Sequence, residues 1–131
     1  YYSIGQVAAK TGLTVHTLRY YEKEGLLPFV RKSSSGLRMF SDDDLGWLSL
    51  IECLKETGMS LKGIRQYIDW FREGDSTLPQ RLEMFKQQQN KVLMQIEQFK
   101  KYLQKIDYKD KLNEEAVKQG SFDKALKKLN S

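Results

Sequence analysis

The stretch SIGQVAAKTGLTVHTLRYYEKEG, residues 3–25, decides the fold. Ser3-x-x-Gln6 has the form of a capping box, in which each side chain satisfies a helix N–H that the first turn leaves unpaired. The helix it opens runs from Ile4 to about Lys10, where Thr11-Gly12 stops it. Thr14 caps a second helix, Val15 to Lys23, terminated by Gly25, whose missing Cβ suits the left-handed backbone of a helix end. Two short helices joined by Thr11-Gly12-Leu13-Thr14 form the core of a helix-turn-helix. The same spacing occurs in helical hairpins that never touch nucleic acid, so the flanking residues have to decide between the two.

Downstream, Leu26 to Phe40 carries Pro28 and a Ser33-Ser34-Ser35-Gly36 turn between short apolar stretches, which predicts a small hairpin, or wing. Arg31 and Lys32 precede the turn and Arg38 follows it. Basic residues on both arms of a hairpin beside a helix-turn-helix favour DNA. Ser41-x-x-Asp44 is a second capping box, opening a helix through Trp47, Leu50, Ile51 and Leu54 to Thr57, with Gly58 as its stop. Ser60 caps a fourth helix, Leu61 to about Arg72, with Leu61, Ile64, Tyr67, Ile68 and Phe71 as its apolar stripe. Gly74-Asp75-Ser76 reads as a linker.

From Thr77 the pattern changes. Thr77-x-x-Gln80 predicts another capped start, with Pro79 in the first turn, where its missing N–H costs little. Leu78, Leu82, Phe85, Gln89, Val92, Ile96, Phe99, Leu103 and Ile106 then alternate four and three residues apart, all apolar but Gln89. That is the spacing of a coiled-coil seam, spread over roughly 45 Å of helix. One such helix cannot bury its own stripe, and its simplest partner is a second copy, which predicts a homodimer. Gln89 either sets the register or is simply exposed. The tail from Asp107 is polar, with a weak apolar spacing at Phe122, Leu126 and Leu129, and either docks back or frays.

Composition narrows the function. The 131 residues suit one compact domain with an appendage, and the single cysteine, Cys53, forms neither an intrachain disulfide nor a dedicated metal cage. No run of 18 apolar residues is present and Tyr1-Tyr2-Ser3 lacks a secretory pattern, so no membrane span is expected and the cytoplasm is the expected compartment. The net charge of +5 is unevenly spread: residues 1–41 hold a net +4 and residues 42–73 a net −3. The first third is the expected electrostatic footprint, although a solvated basic surface would carry the same charge. An enzyme is not expected. The lone His16 has no nucleophile beside it, no phosphate-cradling glycine loop appears, and Asp42-Asp43-Asp44 sits where acidic residues complement a helix dipole.

Leu18-Arg19-Tyr20-Tyr21-Glu22, followed by Gly25-Leu26-Leu27-Pro28, resembles the recognition helix and exit of MerR-family transcription regulators. Gly36-Leu37-Arg38-Met39-Phe40 is similar to that family's wing, with Phe40 where tyrosine is usual, and Met59 to Ile64 looks like the start of its second helix-turn-helix. The likeness covers about residues 2–72, with the coiled coil in its expected place. It implies a mainly α fold, in which a winged helix-turn-helix head with a small β wing (1–73) precedes a long antiparallel coiled-coil dimerisation helix (77–108) and a C-terminal tail (109–131). It also implies a bacterial homodimer that binds double-stranded palindromic promoter DNA and distorts the spacer so that RNA polymerase holoenzyme engages both promoter elements. No cofactor, metal or membrane is implied. Ile51 to Lys55, followed by Thr57-Gly58-Met59-Ser60, looks most like the single-cysteine branch, which answers to aldehydes, other electrophiles or nitrosative stress. The cysteines of the metal-sensing branches are missing, and a multidrug-sensing relative with a C-terminal ligand domain after residue 110 is not expected.

Arg19 is the candidate base reader, since its planar fork matches guanine O6 and N7. His16 and Thr17 share its helix. Tyr20 and Tyr21 point about 100° apart, so one faces DNA while the other packs inward; the resemblance assigns Tyr20 to DNA and leaves Tyr21 open. Arg31, Lys32 and Arg38 are expected on phosphates, and Ser60 and Lys62 at the fourth helix start as a further phosphate site. Cys53 is either a small packing residue or the trigger whose modification shifts the second helix pair against the coiled coil. The rival reading is an architectural or repressor-type DNA-binding protein with no effector response.

Overall fold

A computed structural model describes residues 1–131. Six α-helices and one two-stranded sheet follow in the order α1 (Ile4–Thr11), α2 (Val15–Lys23), β1 (Arg31–Lys32), β2 (Arg38–Met39), α3 (Asp42–Glu56), α4 (Leu61–Glu73), α5 (Leu78–Gln119) and α6 (Phe122–Leu129). A short 3₁₀ turn, Asp75–Thr77, joins α4 to α5. No helix is long and apolar enough to cross a membrane.

The caps form as their residue types dictate. The Gln6 backbone N–H donates to Ser3 Oγ at 3.2 Å while the Ser3 N–H donates to Gln6 Oε1 at 2.8 Å. Ser41 and Asp44 repeat the arrangement at α3, which explains why Asp44 is buried. Asp42 accepts from the Tyr2 hydroxyl at 2.8 Å, so two of the three adjacent aspartates have structural partners. Both α2 and α3 end in the same way. Gly25 (φ +78°) and Gly58 (φ +100°) take the left-handed turn, and the next residue's N–H reaches back across it, Leu26 to the Tyr21 carbonyl and Met59 to that of Leu54, both at 2.9 Å.

The wing is antiparallel, with Arg31 opposite Met39 and Lys32 opposite Arg38. Tyr2 extends it through two backbone hydrogen bonds with Phe40, at 2.7 and 2.8 Å. One core unites α1 to α4: Val7, Leu18, Tyr21, Leu26, Leu27, Phe40, Leu48, Ile51, Leu54, Ile64 and Ile68 are all buried. Phe40 therefore serves the core, and its want of a hydroxyl has no consequence at the surface. Rings flank this core: Trp47 stacks on Phe29 at 5.2 Å and takes the edge of Phe71 at 4.9 Å.

The chain divides into two compact units, residues 1–88 and 89–131. The division falls inside α5 rather than in the 74–76 linker, because the first turns of α5 belong to the head. Phe85 packs edge-on against Tyr67 at 4.8 Å, and the buried Gln88 donates to Thr57 Oγ1 at 2.8 Å. Thr77 does not act as the expected cap. It is buried, and its hydroxyl donates back to the carbonyls of Trp70 and Gly74.

In the second unit α5 continues to Gln119, beyond the end expected at 108. The tail then folds back: Gly120 turns the chain, Ser121 caps α6, and Lys128 Nζ reaches Glu115 at 2.6 Å. Ala125 and Leu112 are buried there.

Candidate nucleic-acid interface

The second helix presents two unlike faces. Leu18 and Tyr21 point into the core, three residues apart and so on one stripe, while His16, Arg19, Tyr20 and Lys23 are exposed. Thr17 is half-buried. Its N–H and hydroxyl both meet Thr14 Oγ1, at 3.0 and 2.9 Å, so it belongs first to the cap.

Tyr21 does not reach the surface, and the reading that left it open as a DNA contact is corrected. Its side chain is fully buried, its hydroxyl donates to Glu52 Oε1 at 2.5 Å, and the hydroxyl oxygen accepts from Lys55 Nζ at 2.6 Å. Burial first, then the Glu52 carboxylate, pushes the Tyr21 hydroxyl above the ordinary tyrosine range. Its hydrogen bond likewise raises Lys55.

Between α2 and the wing lies a cleft of about 1000 Å³, with Arg19 and Lys23 on one wall and Lys32 and Arg38 on the other. Lys32 and Arg38 are cross-strand partners and so share a face of the hairpin. Arg31, next along the strand, turns the other way and lines a separate recess with Phe29, Trp47 and Asp43. The three basic wing residues expected to act together are therefore split two and one.

Arg38 is also less free than its charge suggests. Its Nε pairs with Glu22, which pins the wing to the second helix and neutralises part of the cleft. Lys23 was missed as a cleft residue although the signal was present, since it lies four residues after Arg19 on the same helical face. Ser60 and Lys62 lie outside this cleft. Ser60 Oγ accepts the Gly63 N–H at 3.1 Å, while Lys62 is exposed.

Cys53 is exposed on α3. No group of three or more His, Cys, Asp or Glu residues is placed to hold a metal ion. Of the residues expected in the coiled-coil seam, Leu78, Leu82, Ile96, Phe99, Leu103 and Ile106 are exposed, Phe99 to 69%. Phe85 and Val92 are half-buried, and Phe85 already has its partner in Tyr67. The expected stripe is thus bare along most of its length.

Two family descriptions match the chain: "MerR HTH family regulatory protein" over residues 2–69 and "MerR, DNA binding" over residues 45–107. A helix-turn-helix transcriptional regulator of Haemophilus influenzae, itself uncharacterised, is 44% identical over 92% of this chain and 89% of its own length. The Bacillus subtilis regulator AdhR is 36% identical over 70% of this chain and 65% of its own. Among solved structures, HiNmlR, a MerR-family regulator lacking the sensor domain and bound to promoter DNA, superposes with a TM-score of 0.87 at 43% identity, covering 93% of this chain and 97% of that one.

Proposed function

The chain belongs to the MerR family of helix-turn-helix transcriptional regulators, and on that premise we propose that it binds promoter DNA as a homodimer and controls transcription by distorting the duplex. It is a regulator and not an enzyme. The observation that carries the proposal is the basic cleft, where an exposed Arg19 on a short helix stands across from Lys32 on a hairpin. Arg19 reads a base edge in the major groove, with Tyr20 and His16 beside it, and Lys32 and Lys23 grip flanking phosphates. Arg31, Ser60 and Lys62 supply outlying phosphate contacts, and Thr17 supports the helix start. The DNA-bound relative HiNmlR supports the choice of partner.

Pairing of two α5 helices through the bare stripe, antiparallel, sets two heads on the half-sites of an inverted repeat. Tighter binding to a bent, untwisted spacer than to a straight one then lets RNA polymerase holoenzyme engage both promoter elements. The reading places the protein in the cytoplasm. Its test is selection of a duplex from a random pool by the wild type, followed by Arg19→Ala. Loss of one bidentate contact per head costs about 1–3 kcal/mol each. An Arg19→Ala variant that still prefers the selected sequence by the same ratio refutes the assignment.

One further observation bears on control. The exposed Cys53 thiol is open to electrophiles, and we propose its alkylation or oxidation as the trigger, consistent with the single-cysteine branch. Cys53→Ser should keep DNA affinity and lose aldehyde-induced transcription. An induction unchanged by the substitution refutes the Cys53 trigger, whereas a wild type that aldehydes do not induce at all favours the architectural or repressor-type alternative.

A further inference from the structure

The second helix is held to the third by a polar joint that the DNA-reading role does not use. Tyr21, fully buried, places its hydroxyl between two groups on α3: it donates to Glu52 at 2.5 Å and accepts from Lys55 at 2.6 Å. Lys55 Nζ also stands 5.0 Å from the Tyr21 ring centre. Glu52 and Lys55 make no ion pair with each other, so the hydroxyl is the bridge between them.

Such a joint supplies something apolar packing cannot. Burial of Leu18 and the Tyr21 ring holds α2 down, but the hydrophobic effect is non-directional and leaves the helix free to roll about its axis. Hydrogen bonds are directional, and two meeting on one oxygen set that roll. At the ~6 Å radius of a helix with its side chains, a roll of about 10° moves a side-chain tip by about 1 Å, enough to spoil a bidentate fit. Arg19 and Tyr20 precede Tyr21 on the same nine-residue helix, and the Tyr20 ring lies 6.4 Å from that of Tyr21.

We propose that Tyr21, Glu52 and Lys55 form a positioning site for sequence recognition, which fixes the rotation of α2 so that Arg19 and Tyr20 meet base edges in register. This rests on the DNA-reading role of α2. Burial and the Glu52 carboxylate raise the Tyr21 hydroxyl, and the hydrogen bond to Tyr21 raises Lys55, so the joint keeps its protonation throughout the neutral range.

The test compares the wild type with Tyr21→Phe, which removes one oxygen and keeps the ring. Affinities are measured by fluorescence anisotropy for a duplex selected from a random pool by the wild type and for a shuffled duplex of equal length. Thermal unfolding is recorded alongside. The expected result is a fall of about tenfold in affinity for the selected duplex, the size of one misaligned bidentate contact, with the shuffled duplex bound as before. A purely structural role lowers both affinities together or neither. Lys55→Met breaks the joint from its exposed end without touching the core, and it should move the ratio in the same direction even if Tyr21→Phe folds poorly. A wild type that does not discriminate between the duplexes overturns the DNA-reading role and the joint's role with it. A discriminating wild type beside variants that discriminate equally well overturns the joint alone.

Discussion

The head, residues 1–88, and the long-helix unit, residues 89–131, treat their apolar residues in opposite ways. In the head the chain folds back on itself, so Leu18, Leu48, Ile51, Ile64 and Ile68 are buried together in one core. In the second unit Leu93, Ile96, Phe99, Leu103 and Ile106 lie exposed, and only Leu112 and Ala125, where α6 folds back, are buried. Both units are rich in helix. What separates them is whether the chain returns to cover the stripe it has made, and where it does not, the cover has to come from another molecule.

The sharpest way to break this contrast is to charge the stripe. Ile96→Glu combined with Leu103→Glu should leave the head folded, with its near-ultraviolet signature from Trp47 intact, while the protein sediments as a monomer at micromolar concentration. DNA affinity should fall by about a hundredfold or more, since two linked heads outbind one by at least that factor. A double variant that still sediments as a dimer refutes the assignment of the stripe.

The converse change strikes the head. Leu48→Ala opens a cavity in a covered core and should cost about 2–5 kcal/mol in thermal or denaturant unfolding. The equivalent truncation at Phe99, 69% exposed, should cost the isolated chain little and tell instead on dimerisation. Equal losses in monomer stability at the two positions mean that the contrast is wrong.

Smaller effects refine it. Ser41→Ala removes an acceptor from the α3 start and should lower head stability by about 1 kcal/mol, leaving dimerisation unchanged. In the second unit, the hydrogen bond and charge of Lys128, with help from Gln119, hold the Glu115 carboxyl below its ordinary value of 4.5. Because the folded value is the lower one, this contribution is present above about pH 4.5 and is lost as pH falls through the folded value. Acidification should therefore loosen α6 before the head, as read by hydrogen exchange at Ala125, and Glu115→Gln should abolish that early step. Simultaneous exchange in both regions argues against separate responses.

Much of the head was legible in the chain itself. Ser3 with Gln6, Ser41 with Asp44, Gly25 and Gly58 act on residues within about five positions, so reading neighbours is enough to place them. Arg19 was legible too, from its planar fork and its place in the recognition-helix motif, whereas the outward turn of Tyr20 came from the resemblance alone. Tyr21 itself was not. Its partners are 31 and 34 residues away, and two adjacent tyrosines on a helix are distinguished only by what packs against them. The wing shows the same limit. Two-residue alternation was available in Arg31-Lys32, but which face turns to α2 depends on Glu22 meeting Arg38 across the fold.

From the residues alone came the short-range items: helix starts and stops, the hairpin, the apolar stripe of α5 and the family to which these belong. The folded chain alone decided which polar groups are consumed internally. Tyr21 goes to Glu52 and Lys55, Arg38 to Glu22, Thr77 to the end of α4, and Lys128 to Glu115. The physical reason is range. A cap or a turn is settled by the few residues around it, whereas a buried hydroxyl or a half-covered guanidinium takes its role from whatever distant segment closes over it, and sequence spacing carries no record of that.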